Sequence, residues 1–509
     1  KRRMTKLYCL KKILFLIFVG FSFNLAQSQE IQDALRFSQD NLSGTARFRA
    51  MGGAFGALGG DLSSLNVNPA GSAIFSNNQL SISLSSFNKK NDSDYFGTKT
   101  SASDSSFDMN QTGGVFVFKN QNSSSHWKKF AFAINYENTN DFDNSVFSAG
   151  VNPTRSVANY FLSYANGVPL NVLQDSYYGE LDNGGQQAFL GYQAYVINPL
   201  IDVPNNTNYT SNVTPGGNYY QENSIYSSGY NGKLSFNIST SNENKFYIGA
   251  NLNSHFTDYV RTSSFYESNN NPLNTDYTVT NLRFDNNLHT FGTGFSFQIG
   301  AIAKVTDEIR LGLAYDSPIW YKLSDEFSQK LVAISANTVN QLPPDVVDPN
   351  IINYYDPYKL TTPSKFTGSF AYVFGKKGLI SLDYSLKNYG NTKFEPEYDY
   401  YYSGLNNEMK NTLKSSGELR LGAEYKINQW SLRGGYRFEE SPYKNGATIG
   451  DLNSFSGGLG YDFGMFKLDL SYTNAQRNTQ QPFFNQGFTD SAKINTTNNN
   501  FTMTLLFEM

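Results

Sequence analysis

The chain has 509 residues, a formal net charge of −3, 16% charged side chains and one cysteine, Cys9. The slightly negative balance speaks against a nucleic-acid partner, and a lone thiol excludes a disulfide framework. Length alone suggests two or more soluble domains and the mean hydropathy of −0.46 agrees, but 41 Phe, 35 Tyr and 42 Gly fit a membrane barrel, whose alternating lipid-facing and lumen-facing residues escape a hydropathy test.

In chain order, residues 1–28 read as a signal peptide: a basic start (Lys1, Arg2, Arg3, Lys6, Lys11, Lys12), a short apolar run Ile13–Phe23 and a small-x-small site at Ala26-Gln27-Ser28. Cys9 precedes the apolar run, so it is expected to leave with the signal. Residues 29–77 follow as a separate unit centred on Gly44–Phe75, GTARFRAMGGAFGALGGDLSSLNVNPAGSAIF. This stretch has too few large apolar side chains to build its own core. Gly52, Gly53, Gly56, Gly59 and Gly60 allow close backbone approach, which makes sense for a plug whose walls come from elsewhere. No G-x-G-x-x-G spacing and no following Lys-Ser/Thr marks a phosphate cradle. Met51, Phe55, Leu58, Leu65 and Ile74 are unneeded in a solvated linker.

Asn68-Pro69-Ala70-Gly71, following the Gly/Ala run and Asp61-Leu62-Ser63-Ser64, resembles the hatch of the FadL family, including the TodX-type channels. The resemblance covers roughly Gly44–Phe75. It implies a fourteen-stranded outer-membrane barrel that transports hydrophobic compounds, with a hatch in the lumen. It also implies hatch and gate roles for Asn68, Pro69, Ala70, Gly71, Gly52, Gly53, Gly59, Gly60 and Asp61. Pro69 fixes φ and lacks a donor, and Asn68 can bond nearby backbone, so a rigid corner is expected there.

From residue 78 onward the pattern has period two. Leu80, Ile82 and Leu84 share one face of a first strand; Phe130, Phe132, Ile134 and Tyr136 mark a later one. Phe366 to Phe374 and Ile380 to Leu386 flank Gly375-Lys376-Lys377-Gly378, and Leu419 to Ile427 turn at Asn428-Gln429 into Trp430 to Phe438. The count is about fourteen antiparallel strands with apolar faces of about ten residues, tight turns at one end and long polar loops at the other. A propeller would repeat one motif per blade, and a sandwich has no use for such unequal ends. The expected fold is therefore an all-β antiparallel transmembrane barrel with an N-terminal hatch, in the outer membrane, with extracellular long loops and periplasmic termini. Asp383, Arg420, Glu424, Arg433, Arg437, Lys467 and Asp469 alternate with the apolar set and are expected to face the lumen, mostly as a mutually compensated scaffold around the plug.

The longest loop is expected over about 139–228, with apolar islands at Val157–Leu173 and Ala188–Ile201 too large to leave in water. By the same resemblance, these islands are candidates for an external ligand groove, through Tyr160, Phe161, Tyr164, Leu190, Tyr192, Tyr195 and Ile197. Packing against the barrel rim is the competing reading. A bend near Asn251, Asn253 and His255 is a candidate for an opening in the wall. His126, His255 and His289 are too dispersed for a metal motif, no G-x-S-x-G elbow occurs, and no catalytic, metal or cofactor residue is assigned. The expected function is passive transport of hydrophobic small molecules, such as long-chain fatty acids, by a monomer in contact with outer-membrane lipid. The alternative is a FadL-like barrel serving a secretion or attachment machine, with a protein partner at the extracellular loops.

Overall fold

The computed structural model describes residues 29–122 and 124–509; the expected signal segment, 1–28, lies outside them. Fourteen antiparallel strands close on themselves. They are β1 Gln79–Tyr95, β2 Thr98–Lys119, β3 Trp127–Asp141 (resuming as Asn144–Asn152), β4 Tyr219–Asn242, β5 Phe246–Ser268, β6 Thr278–Lys304 and β7 Ile309–Asp316 (resuming as Trp320–Ala336). The remainder are β8 Tyr358–Thr361 and Lys365–Val373, β9 Gly378–Asn388 and Lys393–Glu395, β10 Ser415–Ile427, β11 Trp430–Glu439, β12 Ile449–Asp462, β13 Phe466–Pro482 and β14 Ser491–Glu508. Closure is by β1 against β14, from Gln79↔Glu508 to Asp94↔Lys493.

The outward face carries an apolar belt bounded by rings. Trp430–Tyr461, Tyr461–Phe463 and Phe463–Phe466 pair at the short-turn end. Tyr436–Phe455, Tyr472–Phe501 and Tyr315–Phe366 pair at the loop end. Amphipathic rings settle at membrane–water interfaces, so these pairs mark the two girdles.

Several strands run far beyond the girdle at the loop end, and there the alternation reverses. Within the belt of β5, Ile248 and Leu252 face out while Asn251, Asn253 and His255 are buried inside. Beyond it Tyr259 and Phe265 point in. On β6 and β7 the buried inward set becomes Leu282, Phe284, Leu331 and Ala333. Outside water replaces lipid, so the apolar face turns inward. This extension shortens the expected 139–228 loop: β3 continues to Asn152 and β4 begins at Tyr219.

The interior is filled by the N-terminal segment. Helix α1, Ile31–Ser38, lies on the loop side, where Leu35 and Phe37 join Phe142, Tyr259, Tyr321 and Tyr358 in one core. Next come α2, Ala46–Ala50, and two 3-10 turns, Leu62–Asn66 and Pro69–Ile74. The segment leaves at the short-turn end, where Lys129 Nζ donates to the Phe75 carbonyl (2.6 Å) and β1 begins.

Candidate functional site

The plug is fixed by the residues the sequence singled out, and by wall residues it did not. Asp61 caps the first 3-10 turn, accepting from Ser63 N (2.9 Å) and Thr45 Oγ1 (2.8 Å). Asn68 caps the second: its Oδ1 accepts from Ala70 N (3.1 Å), while its Nδ2 donates to the carbonyls of Gly56 (2.7 Å) and, in strand β6, Ala301 (3.0 Å). The Pro69 carbonyl accepts from Asn237 Nδ2 on β4 (2.9 Å). Gly60 N donates to the Gly71 carbonyl (3.2 Å), and Gly59 sits against the Gly71 backbone with φ +60°, where a side chain has no room.

The wall answers with glycines of its own. A Cβ at Gly300 would strike Asn68, one at Gly312 the Gly56 carbonyl, and one at Gly435 the Gly52 nitrogen. A lone glycine at an inward position of a strand is a sign of close backbone approach, and that sign was in the sequence. The lumenal charges divide their work. Asp383 accepts from Phe55 N (2.9 Å) and Gly56 N (3.0 Å), and Glu424 takes a bidentate hold on Arg47 (2.8 and 3.1 Å). Arg420, Glu418, Arg437 and Glu439 compensate one another in the wall. Lys467 serves the rim instead, bridging to Glu508 and Asp462.

Two chambers lie above the plug. The upper, of about 400 Å³, is walled by Tyr160, Tyr164, Phe265, Phe284, Phe327, Phe483, Phe484 and Tyr401, with Glu30, Asp33, Arg261, Gln187, Asn286 and Gln329 among its polar groups. Helices α3 (Ala158–Ala165) and α5 (Asn183–Gln193) roof it, with α4 (Leu170–Asp175) packed behind them through Leu170 and Leu173. Helix α3 is capped from the barrel wall: Glu267 of β5 accepts from Val157 N (2.8 Å) and the Ser156 hydroxyl (2.5 Å). Helix α5 is capped by Asp182, which accepts from Gly185 N (2.7 Å), and Gly191 lets it close onto Phe161. Burial, with Asp33 beside it, pushes the Glu30 carboxyl up, and Arg261 draws it back.

Of the seven groove candidates, Tyr160 and Tyr164 line this chamber. Phe161, Leu190 and Ile197 are buried in a core that the loop shares with Leu282, Phe284, Leu331 and Ala333 of the barrel strands, so the islands pack against each other and against the wall. Tyr192 packs at the edge of that core and its hydroxyl accepts from Gln174 Nε2 (3.0 Å). Tyr195 sits on a turn at φ 55° and is 56% exposed. The chamber's other aromatics come from β5, β6, β7, the 483–490 loop and, as Tyr401, the helix Tyr400–Thr412; Phe483-Phe484 was a visible but unplaced signal. Tyr160–Phe484 (4.5 Å), Phe265–Phe484 (5.1 Å) and stacked Phe284–Phe484 (6.2 Å) knit the wall together.

The lower chamber, of about 120 Å³, lies between residues 37–43, the plug and the wall, and is largely polar. It contains Asn253 and His255. The strand carrying them has no bulge or break in pairing: β5 keeps unbroken register with both neighbours. The wall is interrupted elsewhere. Pairing of β2 with β3 stops at Gln111↔Glu137, β3 bulges between Asn138 and Asn140, and Asn144–Asn152 pairs with β4 alone. That flap meets β1 through side chains: Lys89 Nζ to the Asp141 and Asp143 carbonyls (2.6 and 2.7 Å), Asn91 Nδ2 to the Ser145 carbonyl (2.7 Å) and Ser93 to Ser148 (2.6 Å).

A family model described as outer membrane protein transport protein (OMPP1/FadL/TodX) matches residues 200–505. The crystal structure of a Pseudomonas aeruginosa FadL homologue is similar at 13% identity and a TM-score of 0.53, covering 92% of this chain and 99% of that one. That of the Pseudomonas putida toluene transporter TodX is similar at 14% identity and a TM-score of 0.50, with the same coverage. At such identities the likeness to the two structures is one of fold. No curated protein matches the chain.

Proposed function

The chain belongs to the outer membrane protein transport family (OMPP1/FadL/TodX), whose members carry hydrophobic compounds across the outer membrane, and from that premise we propose a route for this one. Apolar cargo enters beneath the α3–α5 lid and rests in the upper chamber. Transfer of its surface out of water supplies the driving term, about 25 cal/mol per Å². It then leaves sideways along the β2–β3 seam as the plug shifts. Asn68, Pro69, Ala70, Gly71, Asp61 and the plug glycines act as hatch and gate. Tyr160 and Tyr164 act in capture. The observation that supports this reading is an aromatic chamber set over a plugged lumen, which suits a ligand carrier better than an open pore.

The test is native mass spectrometry, with lipid extraction, of protein purified gently from outer membranes. An apolar ligand at near one-to-one is expected. Phe484→Ala and Phe327→Ala each remove on the order of 1.5–3 kcal/mol of apolar contact, roughly ten- to hundredfold in affinity. A folded wild-type barrel that retains no apolar ligand would sink the proposal.

A further inference from the structure

The lower chamber contains a lysine that the transport route does not use. Lys233 of β4 is nine-tenths buried and lines this chamber. Its cross-strand neighbours are Glu137 and His255, yet among the described residues its ammonium has no hydrogen bond or ion pair. The other charges around it are engaged. Lys365 is held by Asp40 and Asp316 (3.0 Å each), and Lys387 by Asp40 (2.9 Å). Arg420 is paired with Glu418 (2.8 Å), and Glu137 accepts from Asn135 (3.2 Å) and Asn66. Nearby, His255 Nδ1 and Asn253 Oδ1 are buried without a partner.

A buried ammonium either gives up its proton or gains an anion. The donors and acceptors here are too dense for an alkyl chain to displace their water cheaply, and the surrounding carboxylates disfavour a doubly charged guest. We propose that Lys233 holds one small, singly charged oxyanion, a free carboxylate of acetate or bicarbonate size, separate from any apolar cargo. Orphaned His255 and Asn253 are satisfied by the water that accompanies it.

The test titrates [1-13C]acetate into the purified, full-length barrel freed of carboxylate buffers, following saturable broadening of the carboxylate signal. Heat-modifiable gel migration reports folding of each variant. Wild-type protein is expected to show one saturable site. Lys233→Gln and Lys233→Met should weaken it at least about tenfold, the scale of a lost charged hydrogen bond, while Lys233→Arg retains most of it. Phe484→Ala, which lines the upper chamber alone, should leave acetate binding unchanged, so failure of this site and failure of the transport reading are told apart. Absence of saturable binding means that the lysine is neutral and overturns the proposal. Equal binding by folded Lys233→Gln overturns it as well. So does affinity that climbs steadily from acetate to hexanoate to dodecanoate, which would assign Lys233 to the head of the cargo.

Discussion

Asn68 shows what one side chain can do at a crowded contact. Its oxygen caps a 3-10 turn, and its nitrogen reaches both Gly56 inside the plug and Ala301 in the wall. Gly300 makes room for it. Gly300→Val therefore places branched carbon where the amide now sits, and neither the strand nor the capped turn can yield easily. Overpacking of this kind costs typically about 1–3 kcal/mol, comparable with the few hydrogen bonds that seat this corner. The barrel is expected to fold with normal heat-modifiable migration while the plug loosens, raising uptake of a polar dye by intact cells several-fold. Dye exclusion equal to wild type would show that the Asn68 corner does not seat the plug. Asp383 acts at a similar contact from the wall side, accepting from two consecutive plug nitrogens, as an anion does at a turn of free N–H groups.

Among the elements, β3 and its continuation Asn144–Asn152 stand apart. A ladder shared with β2 would lock this flap by backbone bonds. Side-chain bonds to β1 leave it closed but separable, and each contributes only about 0.5–1.5 kcal/mol. The Ser93 and Ser148 hydroxyls meet at 2.6 Å, close enough to make Ser93→Cys with Ser148→Cys a workable disulfide pair. Residues 29–509 contain no cysteine to compete. Oxidised protein is expected to bind apolar ligand normally yet deliver it several-fold more slowly, with recovery on reduction. Undiminished delivery through the cross-linked flap would rule out the seam as the exit. The lid helices follow another logic: α3 takes its cap from β5, so the wall orients the lid and the lid roofs the chamber.

The molecule as a whole is one membrane barrel whose longer strands continue into a second, water-facing part. Within the bilayer the core is polar and the skin apolar; beyond the girdle this is reversed, because the solvent outside changes from lipid to water. The outer part should therefore behave as a soluble domain with a hydrophobic core. Leu282, 1% exposed in the core shared with α3 and α5, is a point where the two parts can be separated. Leu282→Asp buries an unpaired carboxylate at a penalty of several kcal/mol. Loops above the girdle should become protease-sensitive while the membrane belt survives as a protected, heat-modifiable core. Collapse of both together would indicate one cooperative unit.

The fold was legible where a single solvent acts on a periodic chain. Leu80, Ile82, Leu84 and the alternating sets through β8 to β14 announced a membrane strand each, while the core-poor, Gly-rich stretch Gly44–Phe75 and the resemblance carried by Asn68-Pro69-Ala70-Gly71 pointed to the plug, whose rigid corner is local because a cap and a fixed φ are local properties. The extension past the girdle was not legible, since the alternation persists in Tyr259, Phe265 and Phe284 with its meaning inverted, and only the height of each residue above the bilayer tells which face is core. The chamber's wall was half legible: Tyr160 and Tyr164 line it, but Phe161, Leu190 and Ile197 are buried in the core shared with Leu282 and Phe284, a choice made by the packing of α3 and α5 on each other and on the wall. Lys233 reads in sequence as one more lumenal charge. That the charges around it find partners and it does not depends on distances across the strands and the plug, which only the closed barrel fixes.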